Sequence, residues 1–322
     1  MPDALFALCP MPTAADAHES ANLFEKGNMS LSSESMNPLQ LLRSRTAVLA
    51  TMHQKERVMA PILERELGVI ISVPADFDTD AFGTFSREVK RLGTQIEAAR
   101  QKAEKALEVA GETLGFASEG TFGPHPMMPY LPANREIVIL LDRANNIELV
   151  GESLSVETNY SHQLVAGIKE AQDFAQKVGF PEHGLVVVVG DAALGKGEIV
   201  KGIATEKQLF DAVSAALKKS STGKVHVETD MRAMYNPTRM KNIENATLDL
   251  VKKFKQLCPE CGWPGFEIAK RKIGLPCGLC YFPTQLVRSQ IYQCPNCGYN
   301  QEKLFPDGRE TADPSQCQYC NP

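Results

Sequence analysis

Eight cysteines near the end of the chain have the clearest chemical pattern in the sequence. They form four CxxC pairs, which are Cys258 and Cys261, Cys277 and Cys280, Cys294 and Cys297, and Cys317 and Cys320. A CxxC turn presents two thiolates to one tetrahedral zinc ion, and a second such pair completes the coordination. We therefore predict two zinc ions, and we predict that they are structural because four protein ligands leave no open position for catalysis.

The spacing between the pairs suggests which of them share an ion. Our prediction is sequential pairing, in which the first two CxxC pairs hold one zinc and the last two hold the other. A cross-braced arrangement, in which alternate pairs share an ion, fits the same spacing and stays open. Disulfide pairing is the remaining alternative, but clustered CxxC pairs are more typical of metal binding in a reducing compartment.

Two glutamates in the first half of the chain are candidates for magnesium binding. Glu97 lies early in a predicted helix, and Glu119 lies just past a short predicted strand at 114–118. Magnesium in phosphate chemistry needs only one or two carboxylates, because substrate phosphates and waters complete its shell. The alternative is that Glu97 sits on a solvated helix face near Arg100 and that Glu119 is an ordinary loop acid.

Several basic and polar side chains are candidates for phosphate contacts. Lys196 follows a predicted buried strand in the string GDAALGKG, which resembles a phosphate-binding P-loop but has Gly197 where a Ser or Thr would bind magnesium. Arg232 and Arg239 flank a predicted turn and could grip phosphate oxygens. The open alternative for these arginines is a structural pair with Asp230 or Glu228.

The elements that would position these residues predict an α/β fold. A strand at 46–51, a helix at 53–67 and a strand at 68–74 form a βαβ unit, and a predicted hairpin follows at 136–151. We predict a mixed sheet flanked by helices. The predicted domains are a flexible extension at 1–45, an α/β domain at 46–256 and a double zinc ribbon at 257–322.

Charge and hydropathy argue against a strongly basic nucleic-acid-binding protein and against a membrane-spanning or secreted protein. The chain has 322 residues and a formal net charge of −5, which argues against a strongly basic nucleic-acid-binding protein. Its apolar runs have the length of strands rather than of membrane spans, and acidic Asp3 stands where a signal peptide would be basic. We expect a soluble, cytoplasmic protein.

The partner of the zinc ribbons is left open between protein and RNA. The cysteine region has equal numbers of basic and acidic side chains, and zinc tetrathiolates add negative charge, which opposes broad contact with a phosphate backbone. The basic triplet Lys270-Arg271-Lys272 and nearby aromatics could nevertheless hold a short single strand.

Motifs along the chain resemble two groups of proteins. The strings ATMHQKE, FDTDAFGTF, ASEGTFGPHP and DMRAMYNPTRM, followed by paired CxxC ribbons, look like a bacterial family of unknown function. A more distant resemblance links the chain to the inosine/xanthosine triphosphate pyrophosphatases of the Maf/ITPase-like fold. It rests on a strand-end T-x-N-x-x-K motif, an E-N-A-x-x-K-A helix, an I-E-G-G strand end and a later K-G…G-x-x-T segment. In this chain the T-x-N-x-x-K Lys comes one residue early, and the second residue of the helix motif is Ala98 instead of Asn.

The resemblance implies specific roles for residues of this chain. It makes Glu97 and Glu119 magnesium ligands, and it makes phosphate contacts of Thr51, Lys55, Lys196 and Arg232. His53 and His125 are further candidates for acid–base or phosphate contacts.

Together these observations predict magnesium-dependent hydrolysis of a nucleoside triphosphate, in the manner of a house-cleaning pyrophosphatase, with Glu97 or Glu119 as the catalytic carboxylate that orients water. The first alternative is a non-catalytic protein that binds a nucleotide or RNA and uses its zinc ribbons for interaction. The second is a metal-dependent phosphohydrolase that acts on a sugar phosphate or a nucleoside monophosphate.

Overall fold

A five-stranded mixed sheet forms the centre of the computed structural model, which describes residues 38–75, 77, 93–191 and 196–321. The strand order is β2-β1-β3-β4-β5, with parallel pairing of β1 to β2 and β3 and antiparallel pairing along β3-β4-β5. The strands are β1 (Thr46–Ala50), β2 (Ile70–Ser72), β3 (Leu114–His125), β4 (Met128–Asp142) and β5 (Ile147–Ser155). The predicted mixed sheet is confirmed.

Helices cover both faces of this sheet. Alternate strand residues face opposite sides, so each face has its own apolar cluster. On one face, strand side chains such as Leu49, Phe116 and Leu140 pack against α2 and α6. On the other face, Ala117 and Ile139 pack against α3. These three helices are α2 (Glu56–Leu67), α3 (Gln95–Ala110) and α6 (Pro237–Lys255), and the short α1 (Leu39–Leu42) precedes the sheet.

The sequence explains the close fit of α6 to the sheet. Asn236 caps the helix by accepting from the backbone N–H of Arg239, and Pro237 takes the first helical position, where its missing N–H costs nothing. Gly151 on β5 lies so close to α6 that an added Cβ would collide with the helix backbone at Ala246 and Leu250.

A second sheet has four antiparallel strands in the order β6-β9-β7-β8. Its strands are β6 (His162–Val165), β7 (Leu185–Asp191), β8 (Lys196–Ile203) and β9 (Val225–Thr229), and its helices are α4 (Ile168–Lys177) and α5 (Glu206–Lys219). Val187, Val213 and Val227 are fully buried in the cluster between sheet and helices. Asp191 pairs with Lys196, so β7 is followed by an antiparallel strand rather than by the helix that a P-loop requires.

The cysteine region contains a third sheet, β10-β11-β12, built from β10 (Glu267–Ile273), β11 (Val287–Gln293) and β12 (Asn300–Leu304). Both of its pairings are antiparallel. Phe266 donates its backbone N–H to Gln256 at the end of α6, and Trp263 packs against the main core. All described residues belong to one compact unit, whereas the predicted extension at 1–45 falls mostly outside the described residues.

None of the helices in the described part of the chain is long and apolar enough to cross a membrane.

Candidate functional site

Four CxxC turns build two groups of four cysteines at opposite ends of the third sheet. The proximal cysteine site consists of Cys258, Cys261, Cys294 and Cys297. The distal cysteine site consists of Cys277, Cys280, Cys317 and Cys320. The predicted sequential pairing is therefore wrong, and the arrangement is cross-braced.

Strand geometry explains the cross-bracing. One strand separates each CxxC turn from the next, and a seven-residue strand spans about 23 Å. Consecutive CxxC turns therefore lie at opposite ends of the sheet, so that the first meets the third and the second meets the fourth. The strand-like segments between the cysteine pairs were the signal that could have predicted this pairing.

The spacing of the sulfur atoms fits zinc. In the proximal site the Sγ atoms of Cys258 and Cys297 are 3.7 Å apart, and in the distal site those of Cys280 and Cys317 are 3.6 Å apart. A tetrahedron with Zn–S bonds of about 2.3 Å has sulfur–sulfur edges of about 3.8 Å. Disulfide bonds would need about 2 Å, so each group could hold one zinc ion with all four positions filled by protein.

A second candidate site lies where β1 ends, and we call it the cationic cluster. It comprises Thr51, His53, Lys55, Lys102, Arg232 and Arg239, together with the carboxylates that contact these cations. The residues come from the end of β1, the start of α2, the middle of α3, the segment after β9 and the first turn of α6.

Lys55 anchors the cluster to β3. Its Nζ atom donates to the Oγ atom of Ser118 at 2.9 Å and to the Ser118 carbonyl oxygen at 3.3 Å. Burial and the charges of Arg239 and Lys102 lower the pKa of Lys55 to about 7. The amine is therefore only partly protonated near neutral pH.

Arg239 and Glu136 form an ion pair that is almost completely buried. The Nε atom of Arg239 donates to Glu136 Oε1 at 2.8 Å, and Nη1 donates to the carbonyl oxygen of Met231. Gly120 makes room for this pair, because a Cβ there would collide with Glu136 Oε1 and lie 2.7 Å from Arg239 Nη2.

The remaining cations come from α3 and from the segment after β9. Lys102 pairs with Glu119, and Arg232 Nη2 donates to Asp230 Oδ2 at 2.6 Å. Arg232 thus forms the structural pair that the sequence left open as an alternative. The guanidinium group also lies over the ring of Tyr235, 4.7 Å from its centroid.

The pKa of His53 is lowered by burial and by the positive charges of the cluster. Burial first, and then the charges of Lys55, Arg239, Arg232 and Lys102, lower its pKa to about 3. The imidazole is therefore neutral at physiological pH, and it can exchange hydrogen bonds without adding a fifth positive charge.

Thr51 has a buried side-chain hydroxyl for which the described residues provide no hydrogen-bond partner. The residue is 4% exposed, and its Oγ1 atom is buried without a hydrogen-bond partner among the described residues. Buried polar atoms normally have a partner, and leaving one unsatisfied costs about 1–3 kcal/mol. An oxygen atom of a ligand would supply the missing partner.

The two predicted magnesium ligands do not act together. Glu97 is exposed and forms a capping box with Thr94, accepting from the Thr94 backbone N–H at 2.6 Å, which with the Thr94 side chain lowers its pKa. Glu119 lies inside β3 rather than past the strand end, and it faces Lys102. Five residues separate Glu97 from Lys102, which places them about 140° apart around the helix. The structure therefore does not support a shared magnesium site.

Two other predicted contacts lie elsewhere. His125 serves the turn between β3 and β4, where its Nδ1 atom accepts from the backbone N–H groups of Met127 and Met128 at 3.2 Å. Lys196 begins β8, but its side chain is outside what the structure describes.

Fold and sites together define an α/β protein with a cross-braced module of two four-cysteine sites. The chain belongs to the family described as "Domain of unknown function (DUF6671)", whose model matches residues 102–322. This match spans the cysteine module and most of the α/β region, whereas Thr51, His53 and Lys55 precede it. A comparison with curated proteins gave no match.

Proposed function

We propose that this protein binds the phosphate groups of a nucleotide at the cationic cluster. The observation that carries the proposal is the convergence of four cationic side chains around His53, two residues from Thr51, whose buried hydroxyl has no hydrogen-bond partner among the described residues. Three carboxylates, Glu119, Glu136 and Asp230, pair with these cations, so the described cluster has a charge of about +1 when Lys55 is protonated. Cations held this close repel one another, and an anionic ligand would relieve that repulsion.

An aromatic pair beside the cluster favours a nucleotide over free phosphate. Phe122 and Tyr160 have ring centroids 5.6 Å apart, and the guanidinium of Arg239 lies 5.4 Å from the Phe122 centroid. Phe122 follows Ser118 by four residues on the same face of β3, which is about 13 Å along the strand. That distance suits a ligand with phosphates at Lys55 and a base near Tyr160.

The test is a binding titration of the full chain with tripolyphosphate and with a panel of nucleoside triphosphates that includes ITP and XTP. We expect the substitution Thr51→Val, which keeps the side-chain shape, to weaken binding about tenfold through loss of a hydrogen bond to charged phosphate. Lys169→Gln, an exposed lysine on α4, is the matched control and should bind like the wild type. Equal affinity of wild type and Thr51→Val would contradict the proposal.

Magnesium-dependent hydrolysis of a nucleoside triphosphate is the second candidate. Glu119 supports it, because this carboxylate lies in the cluster and could share a metal ion with ligand phosphates if Lys102 moved away. In this scheme the cations would stabilise charge on the leaving pyrophosphate. The order of the motifs also leads us to propose a Maf/ITPase-like arrangement of the first sheet.

Hydrolysis is tested by pyrophosphate release from the same panel with magnesium present. An enzyme would release pyrophosphate and lose turnover in Glu119→Gln while it keeps binding. Binding without release in the wild type would instead favour the non-catalytic alternative. We also propose a cytoplasmic location and two bound zinc ions, since eight thiolates stay available for metal in a reducing compartment.

A further inference from the structure

We propose that the distal end of the cysteine module binds single-stranded nucleic acid through a pocket formed by Tyr281, Phe305 and Arg288. This site is separate from the cationic cluster and does not depend on the function proposed there.

Backbone conformation first points to Tyr281. Each of the four CxxC turns contains the same kind of hydrogen bond, from the backbone N–H of the residue after the second cysteine to the carbonyl oxygen of the first cysteine. In the two turns of the proximal site this residue is Gly262 or Gly298, with φ of 69° and 73°. In the distal site Tyr281 adopts the same left-handed conformation, with φ of 62°. A bulky residue there is strained where glycine is not.

Packing does not compensate for the strain at Tyr281. The residue is 74% exposed, so its ring buries little apolar surface in return. Residues held in strained conformations cluster at ligand sites, and the inference runs from the observed outlier to a function.

Phe305 repeats the pattern on the other side of the same pocket. Its φ is 50°, and its backbone N–H donates to the carbonyl oxygen of Arg288 at 2.8 Å. The pocket has a volume of about 340 Å³, within the range of ordinary ligand sites. Its lining residues are Gly274, Pro276, Tyr281, Pro283, Arg288 and Phe305.

Three basic side chains lead away from this pocket along one face of the sheet. Arg271 lies opposite Gln290, and Gln290 lies opposite Lys303, so all three project from the same face. Arg288 precedes Gln290 by two residues and shares that face. Arg271, Arg288 and Lys303 are exposed, and none of them forms an ion pair with any residue that the structure describes.

The opposite face of the sheet carries both signs of charge. There Lys272 pairs with Glu302, which also accepts a hydrogen bond from Ser289. The contrast between the two faces favours a partner that carries regularly spaced negative charge. Two aromatic rings beside a line of cations suit bases and phosphates of a single strand, because bases stack on aromatics while the backbone follows the cations.

The test measures fluorescence anisotropy of a labelled oligouridylate of about 12 nucleotides as full-length protein is added. We expect Tyr281→Gly to weaken binding about tenfold, the effect of losing one stacked base. Because glycine relieves the backbone strain, this variant should fold and keep the zinc content of the wild type. Tyr130→Ala removes an 80% exposed tyrosine of the α/β region and should bind normally.

Salt dependence tests the charged face separately. Three phosphate contacts predict a slope of about −2 for the logarithm of affinity against the logarithm of salt concentration. Arg271→Gln should reduce that slope by about 0.7, whereas the matched control Lys272→Gln on the opposite face should leave it unchanged.

Three results would overturn the proposal. The first is no binding at about 100 µM protein, the weak end of ordinary non-specific affinity, which is also the result expected of a pocket made for a peptide. The second is equal binding by wild type and Tyr281→Gly. The third is loss of binding in Lys55→Met but not in Tyr281→Gly, which would place the oligonucleotide at the cationic cluster.

Discussion

Lys102 and Glu119 form an ion pair that joins α3 to β3, with side chains only 8% and 5% exposed. A magnesium ion at Glu119 would have to displace the ammonium group of Lys102, because that group already contacts the carboxylate. The ion pair also makes both residues sensitive to substitution, since removal of either leaves a buried charge without its partner.

Lys102→Met should lower the free energy of unfolding by about 3–5 kcal/mol, because it leaves Glu119 buried and unpaired. Urea denaturation measures the change. Adding Glu119→Gln to that variant should recover part of the loss, since the unpaired charge is then gone. A loss below about 1 kcal/mol for Lys102→Met alone would mean that the pair is solvated like a surface salt bridge.

Gly120→Ala should destabilise the protein by about 1–3 kcal/mol, the usual cost of overpacking a filled core. The new methyl group would collide with the Glu136 carboxylate and crowd Arg239. Gly123→Ala is the matched control on the same strand, because a Cβ at Gly123 meets nothing within 4 Å. Thermal unfolding of the two variants should differ clearly, and equal melting temperatures would count against the packing described around Arg239.

Zinc stoichiometry can test the cross-braced pairing directly. The double variant Cys258→Ser/Cys294→Ser removes two ligands from the proximal cysteine site and should keep one zinc per chain. Cys258→Ser/Cys277→Ser damages both sites and should lose both ions. Sequential pairing predicts the reverse result for the two variants, so metal analysis by mass spectrometry separates the arrangements.

Lys55 should make stability depend on pH. Its pKa in the folded protein is about 7, against an ordinary value of 10.5. Between these values the unfolded chain binds more protons, so the free energy of unfolding should rise as pH increases from about 7 towards 10. Lys55→Met should flatten that rise, whereas Lys169→Met, at an exposed site, should not. A steep rise that persists in Lys55→Met would assign it to other groups.

Ligand binding should show the opposite trend in pH. A bound phosphate favours the protonated form of Lys55, so above pH 7 binding should take up as much as one proton and weaken up to about tenfold per pH unit. Calorimetry in buffers of different ionisation enthalpy measures that uptake.

Local patterns predicted much of the fold. The βαβ unit at the start of the first sheet and the β4-β5 hairpin follow from apolar runs and their turns, and both are present. The buried stripe of α3 follows from apolar spacing at Ala99, Ala103 and Ala106. The T-x-x-E signature at Thr94 and Glu97 also predicts the capping box. It indicates that Glu97 caps α3 rather than binding a metal ion.

Other features depended on contacts between distant segments. The strand that contains Glu119 continues to His125, because β4 pairs with it along its whole length. The glycines and the proline in this segment favour a loop when the sequence is considered alone. Arg239 and Glu136 are 103 residues apart in the sequence, so no local sequence pattern could predict their contact.

The sequence by itself determined which residues could bind metal and where several of the helices and strands lie, because ligand type, CxxC spacing and apolar period are local properties. Tertiary structure decided which cysteines share a site, since the direction of each strand alternates the ends at which the CxxC turns lie. It also decided that His53, Lys55, Arg232 and Arg239 lie close together, because helix and strand packing brings together segments that the chain keeps far apart.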